Sequence, residues 1–327
     1  MTIVVTGSAG HLGEALMRTL RAAGRPAVGL DVKASPFTDH VGSICDRDFV
    51  RECLRAAEAV IHAATLHKPH VVTHSRQDFV DVNVTGTLAL LEEAAAAGVG
   101  AFVYCSTTST FGSALTPADG APAAWLTEDV APIPKNIYGA TKLAAETLCE
   151  IFARSVKHPV VILRLARFFP DADDDAKVRA RYGTANAQAN EMLYRRVDIE
   201  DAVDAALLAI NRAPQIGFGR YIISATTPFT RGDLADLRED AAKVVRRLFP
   251  NWEDAYAERG WTMFPYIGRV YDNHLARTEL GWRPKYDFRH VLGRLADDRD
   301  FRSALAIEVG SKGYHEVAFD EGPYPVA

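Results

Sequence analysis

Short apolar runs alternate with helical stretches through the first half of this chain, and that alternation limits its fold more than any other feature. The runs are TIVVTG, PAVGLD, AVIHAA, AFVYCST and PVVILRLA. Between them stand HLGEALMRTLRAAG, RDFVRECLRAA, DFVDVNVTGTLALLEEAAAAGV and IYGATKLAAETLCEIFARS, with helical spacing and glycine stops at Gly24 and Gly98. Strands that are apolar throughout need cover on both faces, and strands joined by helices run parallel. The expected fold is therefore α/β, a doubly wound parallel sheet with ligands at the carboxyl ends of its strands. After about residue 166 the pattern loosens. RRVDIEDAVDAALLAINRA reads as a helix, GRYIISA as a strand, and RGDLADLREDAAKVVRRLF and DNHLARTELGW as later helices. The expected division is a first domain over 1–166 and a smaller C-terminal α/β lobe over 167–327, with a return to the first domain around 197–225.

Bulk properties exclude several classes. The chain has 327 residues and a formal net charge of −5, with no basic surplus to attract nucleic acid or a membrane surface. No apolar run reaches the roughly 18 residues that a bilayer demands. The N-terminus enters TIVVTGSAG at once, which leaves no room for a signal peptide. Cys45, Cys53, Cys105 and Cys149 are scattered, as expected of reduced cysteines in a cytoplasmic protein. The acidic run DADDDAK at 171–177 reads as a solvated loop.

TGSAGHLG puts Gly7, Gly10 and Gly13 between the first strand and the first helix. Glycine allows a tight turn and lets backbone approach a pyrophosphate seated on the helix N-terminus. This is the signature of a dinucleotide-binding Rossmann sheet. Asp31 ends the second strand, about 20 residues on, where a carboxylate bonds the adenosine ribose. It would repel a 2′-phosphate, and no arginine follows it directly. NAD is thus favoured over NADP, with Lys33 keeping the second open. No GxxxxGK[ST] occurs, so the turn is not a P-loop.

Tyr138 and Lys142 stand four apart in KNIYGATK, on one face of a helix. They are either a surface pair or a proton donor and its tuner. A phenol has a pKa near ~10, too high for a base at neutral pH. A cation one turn away, with NAD+ nearby, would lower it.

The spacing of these motifs resembles the extended short-chain dehydrogenase/reductases, the NAD-dependent epimerase/dehydratase group. The matching pieces run in family order through nearly the whole chain: TGSAGHLG, the acid of VGLD, HAA at 62–64, Asn83 in VNVTGT, YCSTTSTFG, TEDVAPIPKNIYGATK, VDIEDAVDA and ELGWRP. The resemblance implies Tyr138 as the acid/base, Lys142 as the residue that holds the nicotinamide ribose and lowers the tyrosine pKa, and Thr107 as the hydroxyl on the reacting oxygen. It implies cofactor contacts at Gly7, Gly10, His11, Leu12, Gly13, Asp31, Ser43, Ile44, Ala63, Ala64, Thr65, Asn83, Ser106 and Leu165, besides Tyr138 and Lys142. It also implies a homodimer, packed through helices at about 78–98 and 137–155.

The chain departs from that family where the substrate would be named. Many sugar-nucleotide enzymes follow the strand at 159–166 with an asparagine and a Gly-Pro turn, whereas this chain reads RLARFFPDADDD with Arg167 at the asparagine position. The segment from there to RRVDIED is short. The arginine usual before that motif falls near Tyr194, with Arg195 and Arg196 beside it. Thr108 and Ser109 stand where 4,6-dehydratases carry an Asp-Glu pair. HAATLHKPHVVTHS is distinctive, with His62, His67, Lys68, His70 and His74. Three readings of it compete: a polar helix edge, a pocket for an anionic or polyhydroxy substrate, and a metal site using His70 and His74. No carboxylate or cysteine completes a metal set, so no metal is expected. Candidate substrate contacts are His67, Lys68, His70, Thr108, Arg167 and Arg196, with Arg269 as a further cation.

The expected activity is NAD-dependent removal of hydride from a secondary alcohol of a sugar or nucleotide sugar. Return of the hydride to the other face makes an epimerase. Release of the oxidised product makes a net dehydrogenase of a free sugar, sugar acid or polyol. The alternative from another class is a non-catalytic NAD-binding regulator, against which stands the retention of both Tyr138 and Lys142.

Overall fold

The structure, a computed structural model, describes residues 1–313. Its strands are β1 (Ile3–Thr6), β2 (Ala27–Asp31), β3 (His40–Val41), β4 (Ala59–His62), β5 (Ala101–Thr107), β6 (Ala124–Leu126), β7 (Val160–Leu165), β8 (Phe218–Ile223) and β9 (Arg269–Tyr271). Seven of them form one parallel sheet in the order β3-β2-β1-β4-β5-β7-β8, and β6 pairs in parallel with β9. The six apolar runs read from the sequence are the six longest strands. The three that periodicity misses are two or three residues long, too short to show a repeat.

Side-chain alternation divides the core into two faces. Val5, Ile61, Val103 and Leu163 point to the side covered by helices His11–Ala22 and Ile199–Ile216. Val4, Val60, Phe102 and Ile162 point to the side covered by Arg47–Leu54, Gly86–Ala96 and Ile137–Ile151. A separate apolar cluster, with Trp252, Tyr256 and Phe288 at its centre, is built from residues after 181 and Ala123. Helix Ile199–Ile216 and β8 bring the chain back to the main sheet in between.

The order reverses between β1 and β4: the chain leaves β1 to one side for β2 and returns on the other for β4. Such a switch leaves a crevice at the strands' carboxyl ends. Two predicted helices are interrupted. DFVDVNVTGTLALLEEAAAAGV forms Arg76–Val80, a π-helical turn over Asp81–Thr85, and Gly86–Ala96. The wide turn carries buried Asn83. RGDLADLREDAAKVVRRLF breaks at Asp240, whose carboxylate leaves the first helix to cap Lys243 N at 3.0 Å in the next. Among the described residues, no helix is long and apolar enough to cross a membrane.

ELGWRPKY closes the fold. Trp282 is fully buried and donates its indole N–H to Asp201 O at 3.0 Å. The Asp201 carboxylate accepts from Lys285 N at 2.9 Å and Tyr286 N at 3.0 Å. This late segment is thereby pinned to helix Ile199–Ile216. Trp282→Ala should cost about 3–5 kcal/mol of unfolding free energy in urea titration. A loss under about 1 kcal/mol would show that this anchor is dispensable.

Candidate active site

The strands' carboxyl ends open into a cleft of about 1080 Å³. This exceeds the roughly 300–1,000 Å³ of sites for one small ligand, so it has room for a cofactor and a substrate together. The glycine turn forms one end. Gly7 has φ +73°, and a Cβ there would lie 2.7 Å from Ala64 N. A Cβ on Gly13 would lie 1.9 Å from Gly7 O. Neither position tolerates a side chain. Gly10 caps helix His11–Ala22 with no side-chain hydrogen bond, so the first N–H groups of that helix face an open cradle suited to phosphate. His11 and Leu12 line the same wall. Burial pushes the His11 pKa down to about 4, so the ring is neutral at pH 7. Its Nε2 accepts from Lys312 N at 3.0 Å.

Asp31 reaches the cleft from the end of β2. Its oxygens accept from Ala9 N at 3.0 Å and Lys33 N at 2.9 Å. Those two bonds orient the carboxylate and leave lone pairs for ribose hydroxyls. Ser43, Ile44, Ala63, Ala64, Thr65, Ser106 and Leu165 also line the cleft. The Ser106 hydroxyl, however, turns inward to Glu146 Oε1 at 2.6 Å.

Asn83 does not line the cleft but lies behind the wall that Thr65 and Leu66 form. Its Oδ1 accepts from Leu66 N at 2.8 Å and Thr65 Oγ1 at 2.9 Å, and its Nδ2 donates to Leu66 O and Thr141 Oγ1 at 3.0 and 3.1 Å. Its hydrogen-bonding capacity is filled. It braces the loop after β4 against helix Ile137–Ile151. His62 is likewise a packed core residue, held between Thr6 Oγ1 at 2.7 Å and Thr87 Oγ1 at 3.0 Å.

Thr107 ends β5, and Tyr138 stands in the first turn of helix Ile137–Ile151, which Asn136 caps by accepting from Gly139 N at 3.0 Å. Both side chains line the cleft. Burial pushes the Tyr138 phenol above its ordinary range, and the neighbouring Thr107 hydroxyl opposes that rise. Lys142 Nζ donates to Cys105 O at 2.8 Å and lies 4.1 Å from the centre of the Tyr104 ring. It ties the helix to β5, and burial brings its own pKa down to about 8.

The distinctive histidine loop reaches the same place. The His67 ring is 4.7 Å from the Tyr138 ring and 4.8 Å from that of Phe169. Burial first, and then the neighbouring His70 and Lys142, hold the His67 pKa well below its ordinary value. His70 Nδ1 accepts from His67 N at 2.8 Å, and the His70 and His74 rings meet edge-on at 5.2 Å. Thr108 lies in the cleft wall beside Thr107.

The acidic run after β7 is not a solvated loop. Arg167 meets Asp173 at 2.5 Å, Asp174 at 2.6 Å and Glu191 at 3.5 Å. Arg195 meets Asp173 at 3.1 Å and pairs with Glu191. Lys68 pairs with Asp174. Burial opposes the charge on Glu191, but Arg195, Arg167 and Arg196 hold its pKa down to about 2. Arg196 also corrects its expected role as a substrate contact. It is buried outside the cleft, with its guanidinium on Glu191 at 2.8 Å and on the Phe169 carbonyl. A charged side chain that deep needs those partners.

Sequence reasoning missed two further parts of the site. Phe168 and Phe169 line the cleft; nothing in their spacing marks them. Glu146 is fully buried under the site. It accepts from Ser106 Oγ and from Arg164 at 2.8 Å, and it forms an ion pair with Arg220 at 3.1 Å. Its place four residues after Lys142, on the same helix face, was the available signal.

The comparisons agree with this geometry. Residues 3–223 match the family described as NAD dependent epimerase/dehydratase, and the chain belongs to that family. NAD is its cofactor, and the glycine cradle and Asp31 fit it. A UDP-glucose 4-epimerase of Rhizobium meliloti is 29% identical over 323 residues, covering 88% of this chain and 94% of its own length. A dTDP-glucose 4,6-dehydratase of Streptomyces niveus is 31% identical over 322 residues, covering 88% and 89%. A solved short-chain dehydrogenase/reductase superfamily protein from Agrobacterium tumefaciens, with bound NAD, shares the fold at TM-score 0.63 and 24% identity, covering 91% and 96%.

The neutral imidazoles set a pH dependence. Burial lowers the pKa of both His11 and His62 from 6.5, to about 4 at His11. Below pH ~6.5 the unfolded chain takes up protons that the fold refuses. Stability is therefore whole above that pH and is lost as pH falls toward 4. The urea midpoint should be lower at pH ~5 than at pH ~7.5, and His62→Gln should flatten the slope. An unchanged midpoint across that range would mean the rings titrate as freely as in the unfolded chain.

Proposed function

We propose that this enzyme takes hydride from a secondary alcohol of a sugar-like substrate, with Tyr138 as acid/base and Thr107 on the reacting oxygen. The observation that carries the reading is that Thr107, at the end of β5, and Tyr138 line the same cleft as the glycine cradle. Gly7, Gly10 and Gly13 would admit the pyrophosphate, and Asp31 the adenosine ribose. When bound, NAD+ supplies the hydride acceptor and a positive charge. Tyr138 takes the hydroxyl proton as phenolate and returns it as phenol. The Thr107 hydroxyl steadies the oxygen while its bond order changes. Lys142, on Cys105 O, keeps β5 and the tyrosine helix in register. A buried phenol ionises late, so oxidation should speed up as pH rises through the neutral range.

The relatives that act on UDP-glucose and dTDP-glucose support a sugar substrate, and return of the hydride to the opposite face would make the enzyme an epimerase. Thr108 and Ser109 follow Thr107 where a dehydratase would need acids, so 4,6-dehydration is not proposed. Net dehydrogenation of a smaller substrate is a second reading, favoured by the ion pairs that engage Arg167 and Arg195. Tyr138→Phe should lower kcat by about 10²–10⁴ with a panel of sugars and sugar nucleotides, while NAD affinity stays within about threefold. A fully active Tyr138→Phe protein would sink the reading. Conversion without NADH accumulation marks the epimerase, and steady accumulation marks the dehydrogenase.

We also propose a homodimer formed through the helices at about 78–98 and 137–155. Val80, Ile151 and Val156 expose apolar side chains there. Light scattering should give twice the chain mass at micromolar concentration, and a monomer would refute this.

A further inference from the structure

Among the described residues, Lys68, Arg167, Arg195 and Lys312 line the cleft with acidic partners, whereas Arg269, Lys33 and Lys135 line it without one. Lys68, Arg167 and Arg195 line it, and Asp173, Asp174 and Glu191 answer them with three carboxylates. A fourth cation, Arg196, adds a positive charge to this group, but it sits outside the cleft on Glu191 and the Phe169 carbonyl. A diphosphate laid against this wall would face Asp174, with Asp173 buried against Arg167. To reach Arg167 or Arg195 it would have to strip carboxylates from them and leave those carboxylates poorly solvated. Unpaired or opposing charge of this kind is how a site rejects the wrong ligand.

Arg269 differs from Lys68, Arg167 and Arg195. It opens β9, is half-buried and lines the same cleft, and it pairs with no carboxylate among the described residues. β9 is tied to the segment carrying Arg195 through Tyr271 N, which donates to Tyr194 O at 3.0 Å. A guanidinium in that position matches one carboxylate in a two-pronged pair. Lys135, on the same rim, is exposed and donates to Thr116 Oγ1 at 3.3 Å. Lys33 stands at the Asp31 end of the cleft, away from Tyr138 in the fold. Thr107, Thr108, Thr116 and His67 add neutral polar groups, which suit a body bearing several hydroxyls.

We propose that the substrate is a polyhydroxylated monocarboxylate, a sugar acid, whose carboxylate is received by Arg269, and that Asp173 and Asp174 bar a diphosphate from Arg167 and Arg195. This rests on the hydride-transfer reading above. The step balances as an alcohol oxidation: the C–H bond of a secondary carbinol breaks with its electron pair going to NAD+, the hydroxyl proton goes to Tyr138, and a carbonyl and NADH result.

The test uses the full chain loaded with NAD. A panel of hexuronates and hexonates, neutral hexoses, and UDP-glucose are titrated by calorimetry, and NADH formation is followed with each. At least one sugar acid should bind and be oxidised, about tenfold or more tightly than any neutral hexose or UDP-glucose. Arg269→Met should weaken it by roughly 10- to 100-fold, and Arg269→Lys should recover part of that loss. Circular dichroism checks that both variants fold. Asp174→Asn should gain affinity for UDP-glucose. Tighter binding of UDP-glucose than of every sugar acid, an Arg269→Met protein with unchanged affinity, or binding of none of the probes would each overturn the inference. Tyr138-dependent hydride transfer from UDP-glucose would overturn it while leaving the hydride-transfer reading intact. Hydride transfer that ignores Tyr138→Phe would overturn that reading instead.

Discussion

The arrangement of this site depends on a carboxylate that never meets solvent. Glu146 is fully buried, takes hydrogen bonds from Ser106 on β5 and Arg164 on β7, and forms an ion pair with Arg220 on β8. Removing one partner of such a cluster leaves an uncompensated charge, at a cost of about 3–5 kcal/mol. The cluster holds helix Ile137–Ile151 at one height against three strands. Lys142, one turn away, makes the same kind of link to Cys105 O. Both links lie just before Thr107 on β5 and just after Tyr138 on the helix, and they fix the helix against the strand so that the two residues line one cleft.

The cleft sorts its chemistry by charge and by bulk. At one end, Gly7 and Gly13 leave only backbone, because any Cβ would collide with Ala64 or with Gly7 itself. Donors of a helix N-terminus are thereby left open to an anion. At the other end, cations are plentiful but most are matched by acids within the same wall. The two ends thus differ in what they can receive. Burial reinforces the difference. It keeps His11 and His67 neutral, so neither adds to the cationic side at pH 7.

The parts of the fold and site legible beforehand were those built from consecutive residues. Apolar runs became strands because a run of β-branched side chains satisfies both faces of a covered sheet. Gly7, Asp31, Thr107 and Tyr138 could be named because each stands at the junction of a strand or helix with a turn, and such junctions leave local marks. Asn83, placed by resemblance alone, sits on a π-helical turn behind the cleft wall, and nothing local in the sequence marks that turn. The link from Lys142 to Cys105 O was not legible because a spacing of four residues says that two side chains share a helix face, and does not say which strand atom one of them also reaches. The acidic run was misread because a count of charges cannot tell water from arginine as a neighbour.

By itself the sequence determined the sheet, the dinucleotide turn, the choice of NAD at Asp31 and the pair Tyr138–Lys142. These rest on short-range sterics and on periodicity, which act between near neighbours in the chain. Only the tertiary structure decided that Lys142 serves β5, that His67 stacks on Tyr138, and that Arg167 and Arg195 face Asp173, Asp174 and Glu191 while Arg269 does not. Electrostatic pairing and burial depend on separation in space. Residues more than a hundred positions apart, such as Lys68 and Asp174, meet only when the sheet has brought their loops to one edge.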